Sequence, residues 1–454
     1  MGNKEHLPKF KIEGGEINDL LTEKNVRLPP DIQSKVSKIK DFVGLIVLGK
    51  DIYSFLPKIF TEEISNSEKS CELTRIIYRV LQTYRNNNPK TSSSNVINII
   101  GGSQESGNST IFGIINELID DWFSYGVWKP YEMSYCILGN GGVNWDKTIQ
   151  EHPALISNTT LCHDPVINNH FTINEHHILS HIHTTIMEDI THKYDWLFPE
   201  LPSHVTATDI RYDAAEFTTI IKEHLLYLSN QRERILFEHL LLYLEKTPQT
   251  DIDNPIQVYG TIAFHRIFEH MLQKLLRDYR NHESLQAIKE PPQWKLTTPE
   301  NDTWSWKGSG GDADIVLPYK NGTYNTEFTS ALILDAKYFR LAKAIQDRDE
   351  SLLPKIEDIR KQYMYGIFLL QMVDTIQSIR NAFIFPVPEY LLVPNSHFYH
   401  FGDVTFPIYE PLCVLGVNLE WLMKQYLKLE VDDIANIHQN LWNITKSSER
   451  TRQE

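Results

Sequence analysis

Two short stretches hold residue types that can hydrolyse a charged ester: Gly311-Asp312-Ala313-Asp314-Ile315-Val316-Leu317 and Leu332-Ile333-Leu334-Asp335-Ala336-Lys337-Tyr338. In an extended strand, residues two apart share a face, so Asp335 and Lys337 project together, roughly 6–7 Å apart along the chain. A preceding strand that pairs alongside brings Asp314 to the same spot. Two carboxylates and one ammonium at strand ends can hold a divalent cation and position a water. Mg2+ prefers such hard oxygen ligands and usually keeps some of its own waters. A cation held there polarises a phosphoryl oxygen and lowers the pKa of the attacking water, while the lysine stabilises developing negative charge. That is the chemistry of phosphodiester hydrolysis. Asp-x-Lys alone is a common tripeptide that often just faces solvent. The apolar run from Ala331 to Leu334, and a second carboxylate twenty-one residues earlier, give it more weight here. Alternation does not choose between Asp312 and Asp314, which share a strand face. Asp314 directly precedes the apolar run Ile315-Val316-Leu317, which anchors it better than the glycine-rich approach anchors Asp312.

These groups need a sheet and flanking helices to hold them. Ala313 to Leu317, Thr323 to Phe328 and Ala331 to Phe339 read as strands, with Asn321-Gly322 as a hairpin turn. Ile256 to about Tyr279 reads as a helix with Ile262, Phe268, Leu272, Leu275 and Leu276 on its apolar side, and it carries Glu269 as an additional carboxylate. Ile356 to about Thr375 reads as a second helix. The expected result is a small α/β domain built as helix, antiparallel strands, helix. Upstream, Phe42 to Leu48, Tyr53 to Ile59 and Asn95 to Ile100 read as strands, Thr110 to Tyr125 as an amphipathic helix, and 172–245 as mostly helical. Asp251-Ile252-Asp253-Asn254-Pro255 is the best boundary signal. The chain therefore divides into an N-terminal region, 1–250, for DNA recognition or partner docking, a catalytic domain, 251–430, and a C-terminal tail, 431–454. The fold class is α/β (α+β).

Asp314…Asp335-Ala336-Lys337 resembles the PD-(D/E)xK nuclease signature, and Ile333-Leu334-Asp335-Ala336-Lys337-Tyr338 is similar to the form in McrC-like and LlaJI-type restriction endonucleases. Phe268-Glu269, the stretch Asp358 to Tyr365, the stretch Val143 to Ile149, and Phe42-Val43-Gly44 with Leu56-Pro57-Lys58 resemble the same group. One departure is Ala313, where the signature has proline before the aspartate. The resemblance implies a restriction-endonuclease-like C-terminal domain, with Asp314 and Asp335 as Mg2+ ligands and Lys337 as the catalytic lysine. Glu269 and Gln362 become supporting positions; Gln362, one turn from Asp358, could reach a phosphate or the lysine, or simply lie on the helix surface. It also implies double-stranded DNA as substrate, a role in defence against foreign DNA, and room for an McrB-related NTPase subunit or a homodimer. A DNA-binding or assembly subunit with an inactive nuclease fold is the main alternative; a repair or RNA-processing nuclease is a second.

The composition is that of a soluble globular protein. At 454 residues the chain exceeds what one core usually supports, and 41% apolar with 23% charged residues is neither disordered nor fibrous. Apolar runs such as Phe42 to Leu48 are far too short to span a bilayer, the first residues carry no apolar signal, and His6 argues against myristoylation. Four scattered cysteines form no CxxC pair, as suits a reducing cytoplasm. The net charge is −15, yet residues 255–380 hold 16 basic and 16 acidic side chains, so this region can still present a local basic face. Gly102 to Ser109 has phosphate-loop spacing, but Asn108 stands where the lysine should be, which argues against nucleotide hydrolysis. His177 and His181 have a zinc-compatible spacing without a second ligand pair, so a polar helix face is expected. Asn144-Trp145-Asp146-Lys147-Thr148 reads as a turn with an inward tryptophan, or as a DNA-reading loop.

Overall fold

The apolar runs flanking Asp314 and Asp335 are too hydrophobic for a one-sided sheet, and the structure covers them on both faces. It is a computed structural model that describes residues 7–14, 41–48, 51–88, 111–137, 139–157, 160–174, 176–199, 213–247, 257–279, 293–297, 303–307, 313–320, 323–324, 328–394, 396–405, 410–428 and 434–446. The chain separates into two compact units. One comprises Met1–Leu7, Leu48–Asp51 and Gly101–Gln257; the other comprises Pro8–Val47, Ile52–Ile100 and Val258–Glu454. The described residues 8–14, 41–47 and 52–88 thus group with those from Val258 onward.

In this second unit the elements run β1 (Lys9–Ile12), β2 (Val43–Leu48), β3 (Asp51–Leu56), α1 (Ser67–Asn87), β4 (Gln257–Thr261), α2 (Phe264–Leu276), β5 (Gln293–Thr297), β6 (Thr303–Lys307) and β7 (Ile315–Lys320). They continue as β8 (Thr323–Tyr324), β9 (Ser330–Ala336), α3 (Leu341–Asp347), α4 (Ile356–Met372), β10 (Ser378–Val387), β11 (Phe398–Val404), β12 (Leu412–Asn418), α5 (Leu419–Leu427) and α6 (Ile434–Lys446). The main sheet has six strands in the order β8-β7-β9-β10-β12-β11. β7 and β9 are antiparallel, with Ile315 opposite Leu334 and Val316 opposite Ile333. β9–β10 and β10–β12 are parallel, so the sheet is mixed rather than antiparallel. α4 is the long crossover that returns the chain for a parallel β9–β10 pair. It packs Leu369 against Val316, Ala331 and Ile333 of the sheet. Gly366 of α4 lies so close to β10 that a Cβ there would meet the Asn381 amide at 2.9 Å.

The expected helix from Ile256 begins instead as β4 and becomes helical only at Phe264. The β-rich Gln257-Val258-Tyr259-Gly260-Thr261 joins a four-stranded sheet in the order β1-β3-β2-β4. Gly44 and Gly260 let the backbones of β2 and β4 approach, since a Cβ on either would strike the other strand's carbonyl oxygen. The expected C-terminal tail contains α6, which packs into the unit. The Tyr319 hydroxyl donates to the His438 carbonyl at 3.1 Å, and Arg380 donates to that of Trp442 at 3.0 Å. Asn95 to Ile100, Gly102 to Ser109 and the Asn321-Gly322 turn lie outside the described residues.

The other unit contains helices Ile111–Tyr125, Ile178–Tyr194, Ala214–Leu225 and Gln231–Lys246 and an antiparallel ribbon of Tyr131–Ile137 with Ile167–Ile173. His183 is fully buried, its Nδ1 accepts the Trp128 N–H at 3.1 Å, and burial pushes its pKa down to about 4. Among the described residues, the histidines of 163–192 bring no three ligand atoms together. Asn144 caps the short helix Trp145–Glu151, and Trp145 is 55% exposed rather than packed inward. No helix among the described residues is long and apolar enough to cross a membrane.

Candidate active site

The site forms where β7 begins and β9 ends, beside the start of α4. Extending the β7–β9 register by one step from Ile315–Leu334 sets Asp314 opposite Asp335. The backbone bears out the approach, for Asp314 Oδ2 accepts the Ala336 N–H at 2.8 Å. Alternation along β9 carries Asp335 to the face of Ile333, and Lys337 follows two residues on. Lys337 Nζ lies 2.7 Å from Asp335 Oδ2 and 2.8 Å from Asp358 Oδ1. Lys337 stays in register because its N–H donates to the Ile384 carbonyl of β10 at 2.9 Å. Glu269 arrives from α2, whose apolar stripe of Phe264, Ile267, Phe268, Met271, Leu272 and Leu275 is buried. Its Oε1 accepts from Gln273 Nε2 at 2.7 Å, and the same amide donates to the Asp314 carbonyl at 3.2 Å.

Burial and neighbouring charges together shift the ionisation of the cluster. Burial, then the negative charges of Asp335 and Glu269, push the Asp314 carboxyl up to about 8, against the opposing Ala336 N–H. Burial works against the Lys337 ammonium, but Asp335 and Asp358 outweigh it and hold its pKa above the usual lysine range. Burial also raises Asp358, and the hydrogen bond and charge of Lys337 outweigh that to leave it below the usual range. Asp358 is anchored by its place in the first turn of α4, where its Oδ2 accepts the Lys355 N–H at 3.1 Å. A carboxyl whose pKa is raised by burial and by neighbouring carboxylates is a group that a divalent cation would ionise. Asp314 and Asp335 supply the hard oxygens Mg2+ prefers, with Glu269 close by, so the residues fit that ion.

Of the expected site residues, Asp314, Asp335, Lys337 and Glu269 converge, whereas Gln362 does not join them. Gln362 is 1% exposed, and its Nε2 donates to the Ile333 carbonyl at 3.0 Å, bracing α4 on the sheet. The lysine partner on this helix is Asp358, one turn earlier. A carboxylate in the first turn of a helix that follows a strand-end lysine was the available signal. Asp312 lies outside the described residues. Also unforeseen is Glu13, 2% exposed, which accepts the Tyr338 O–H at 2.6 Å and the Lys58 N–H at 3.0 Å. It ties β1 to the residue next to Lys337, an interaction across 325 positions that no local pattern announces.

Known proteins resemble this chain over most of its length. A Bacillus subtilis (strain 168) protein described as "Type II restriction enzyme BsuMI component YdjA" is 22% identical over 458 residues, which cover 99% of this chain and 92% of that protein. Among solved structures, the McrC bound to McrB AAA+ hexamers of Thermococcus gammatolerans aligns over 94% of this chain and 92% of its own, at 13% identity and a TM-score of 0.34. The sequence model of the LlaJI restriction endonucleases matches residues 42–420, which span β2 through the first residues of α5 and hold all of the converging side chains. The chain belongs to the LlaJI restriction endonuclease family, and so to the components of restriction systems.

Proposed function

We propose that this chain is a Mg2+-dependent endodeoxyribonuclease that cuts double-stranded DNA at a defined site in defence against foreign DNA. The observation that carries this reading is the meeting of Asp314, Asp335 and Lys337 at the ends of paired strands, where burial and then the neighbouring carboxylates raise the Asp314 pKa. Asp314 and Asp335 are the Mg2+ ligands. The bound ion supplies positive charge to a phosphoryl oxygen and acidity to a water. Lys337 meets the negative charge that develops on the phosphorane-like transition state, and Asp358 orients the lysine. Glu269 adds negative charge that favours cation uptake.

The Bacillus subtilis relative is named as a component, which supports an assembly with further chains. We take an NTPase subunit related to McrB as the partner, because Asn108 removes the lysine a phosphate loop of this chain would need. The test incubates plasmid DNA of known sequence with the purified chain, alone and with the NTPase chain of its own restriction system, in Mg2+, Mn2+, Ca2+ or chelator. Cleavage in Mg2+ and Mn2+, binding without cleavage in Ca2+, and loss of cleavage in Lys337→Ala are expected. DNA binding without cleavage under every condition would make the chain an inactive DNA-binding or assembly subunit. Cleavage in chelator, or at the wild-type rate in Lys337→Ala, would overturn the site.

A further inference from the structure

We infer that a groove beside Tyr338, lined by Lys58, Arg340 and Lys343, binds a phosphodiester of the DNA strand close to the cut. This rests on the nuclease reading and deepens it, since it assigns residues to substrate positioning rather than to chemistry. The groove encloses about 210 Å³ and is also lined by Glu62, Asp347 and Tyr390. Three cations reach it from two segments: Lys58 after β3, and Arg340 and Lys343 from the N-cap and first turn of α3.

Their pairing leaves positive charge and a donor to spare. Lys58 Nζ stands 4.6 Å from the centroid of the Tyr338 ring; its charge acts on the Glu13 carboxylate, but among the described residues it makes no direct ion pair. Arg340 spends one terminal nitrogen on a long 3.4 Å hydrogen bond to the Glu13 carbonyl, while its Nε is buried without a hydrogen-bond partner. A buried N–H left unpaired is unfavourable, so a guanidinium held this way is suited to an arriving acceptor. Lys343 is half exposed, and its nearest carboxylate, Asp347, is 3.9 Å away. Of the two acids in the lining, Glu62 is engaged by a hydrogen bond with Tyr390.

Position selects the kind of anion. Arg340 is three residues beyond Lys337, a span of at most about 11 Å between Cα atoms. Phosphates on one DNA strand recur about every 3.4 Å of helix axis, so a strand whose scissile phosphate meets Lys337 has another within two or three nucleotides of Arg340. A phosphodiester held here fixes the register of the strand without reading its sequence.

The test measures DNA binding in Ca2+ over a range of salt concentrations for the wild type, Lys343→Gln, Arg340→Gln and the Lys58→Gln/Lys343→Gln double variant. Thermal melts establish folding, and the exposed Lys343 keeps the test usable if Arg340→Gln folds poorly. The salt slope of log K should fall by about 1 for a phosphate that is no longer neutralised, with affinity down about 3–10-fold on every sequence alike. Unchanged slope and affinity in folded variants overturns the groove while leaving the nuclease reading intact. A wild type that binds no DNA overturns both. In a parallel arm inorganic phosphate is titrated into the wild type. Phosphate binding that Lys343→Gln removes, without any change in the DNA salt slope, makes the groove a free-anion site and also overturns the proposal.

Discussion

Asp358 joins Lys337 to the start of α4: one of its oxygens accepts from Lys337 Nζ at 2.8 Å and the other accepts the Lys355 N–H at 3.1 Å. The lysine is therefore held between Asp335 on its own strand and a helix-anchored carboxylate across the sheet end. Two partners 2.7 and 2.8 Å away restrict a side chain that otherwise carries about 2 kcal/mol of rotamer entropy. The arrangement keeps the ammonium charged and aimed at the point where Asp314 and Asp335 meet.

Asp358→Asn should consequently act through Lys337. Removing that negative charge lowers the lysine pKa, so the alkaline limb of the pH–rate profile should move to lower pH. Cleavage should slow by about 10–100-fold with little change in KM for DNA, as expected when only the positioning of a charged group is impaired. Single-turnover cleavage between pH 7 and 10 checks this. A wild-type profile would leave Asp358 as a helix cap alone.

Asp314 makes the cation-free protein sensitive to pH in a direction opposite to that of a salt-bridged aspartate. Its folded pKa is raised above the ordinary value, so folding takes up a proton. The associated stability is fully present below the unfolded pKa and is lost as pH rises through the folded one. In chelator the melting temperature should fall between about pH 5 and 9, and Mg2+ should restore it at the alkaline end. Asp314→Asn keeps an acceptor for the Ala336 N–H and removes the repulsion. It should be more stable than wild type at pH 8 in chelator, by about 1–2 kcal/mol after allowance for solvent, and inactive. Equal pH slopes for the two proteins would contradict the assignment.

Much of this site was legible because the sequence pattern is local. The apolar runs Ile315-Val316-Leu317 and Ala331 to Leu334 marked β7 and β9 as strands that anchor the aspartates, and the one-residue gap between Asp335 and Lys337 set their common side. What could not be read depends on tertiary partners. Gln362 and Asp358 are one turn apart on the same helix, and only the seating of α4 on the sheet decides which of them reaches the lysine. Gln257-Val258-Tyr259-Gly260-Thr261 lacks helical periodicity, but its strand state requires β2, more than two hundred residues earlier. The amphipathic α6 resembles a tail until its His438 is placed, whose ring donates to the Leu276 carbonyl at 2.9 Å.

The buried amide of Gln362 should matter for stability rather than for catalysis. Gln362→Ala removes the donor to Ile333 and opens a cavity between α4 and the sheet, at a cost of about 2–3 kcal/mol. Denaturant melts should report that loss, while single-turnover cleavage per folded molecule stays within about 3-fold of wild type. A hundredfold loss in a fully folded Gln362→Ala protein would return Gln362 to the chemistry.

Glu13 offers the sharpest test of how the N-terminal strand supports the site. One of its carboxylate oxygens accepts both the Tyr338 O–H and the Lys58 N–H, and Tyr338 is further wedged by Phe264 and Phe268 of α2. Burial raises the Glu13 pKa despite the opposing hydrogen bonds from Tyr338 and Lys58. Its contribution to stability is therefore present at low pH and is lost as pH rises through the folded value. Glu13→Gln retains an oxygen that can accept from both donors and has no charge to desolvate, so it should fold, cleave and lose the pH dependence that Glu13 confers. Glu13→Ala leaves the Tyr338 hydroxyl and the Lys58 N–H unpaired and should destabilise the protein by about 2–4 kcal/mol. Because Tyr338 adjoins Lys337, the folded Glu13→Ala protein should also cleave more slowly, by about 10-fold, with unchanged affinity for DNA in Ca2+. Melts from pH 5 to 9 and single-turnover cleavage below the melting transition read the two effects separately. Equal cleavage by Glu13→Ala and wild type, once both are fully folded, would confine Glu13 to stability and detach the N-terminal strand from positioning of the lysine.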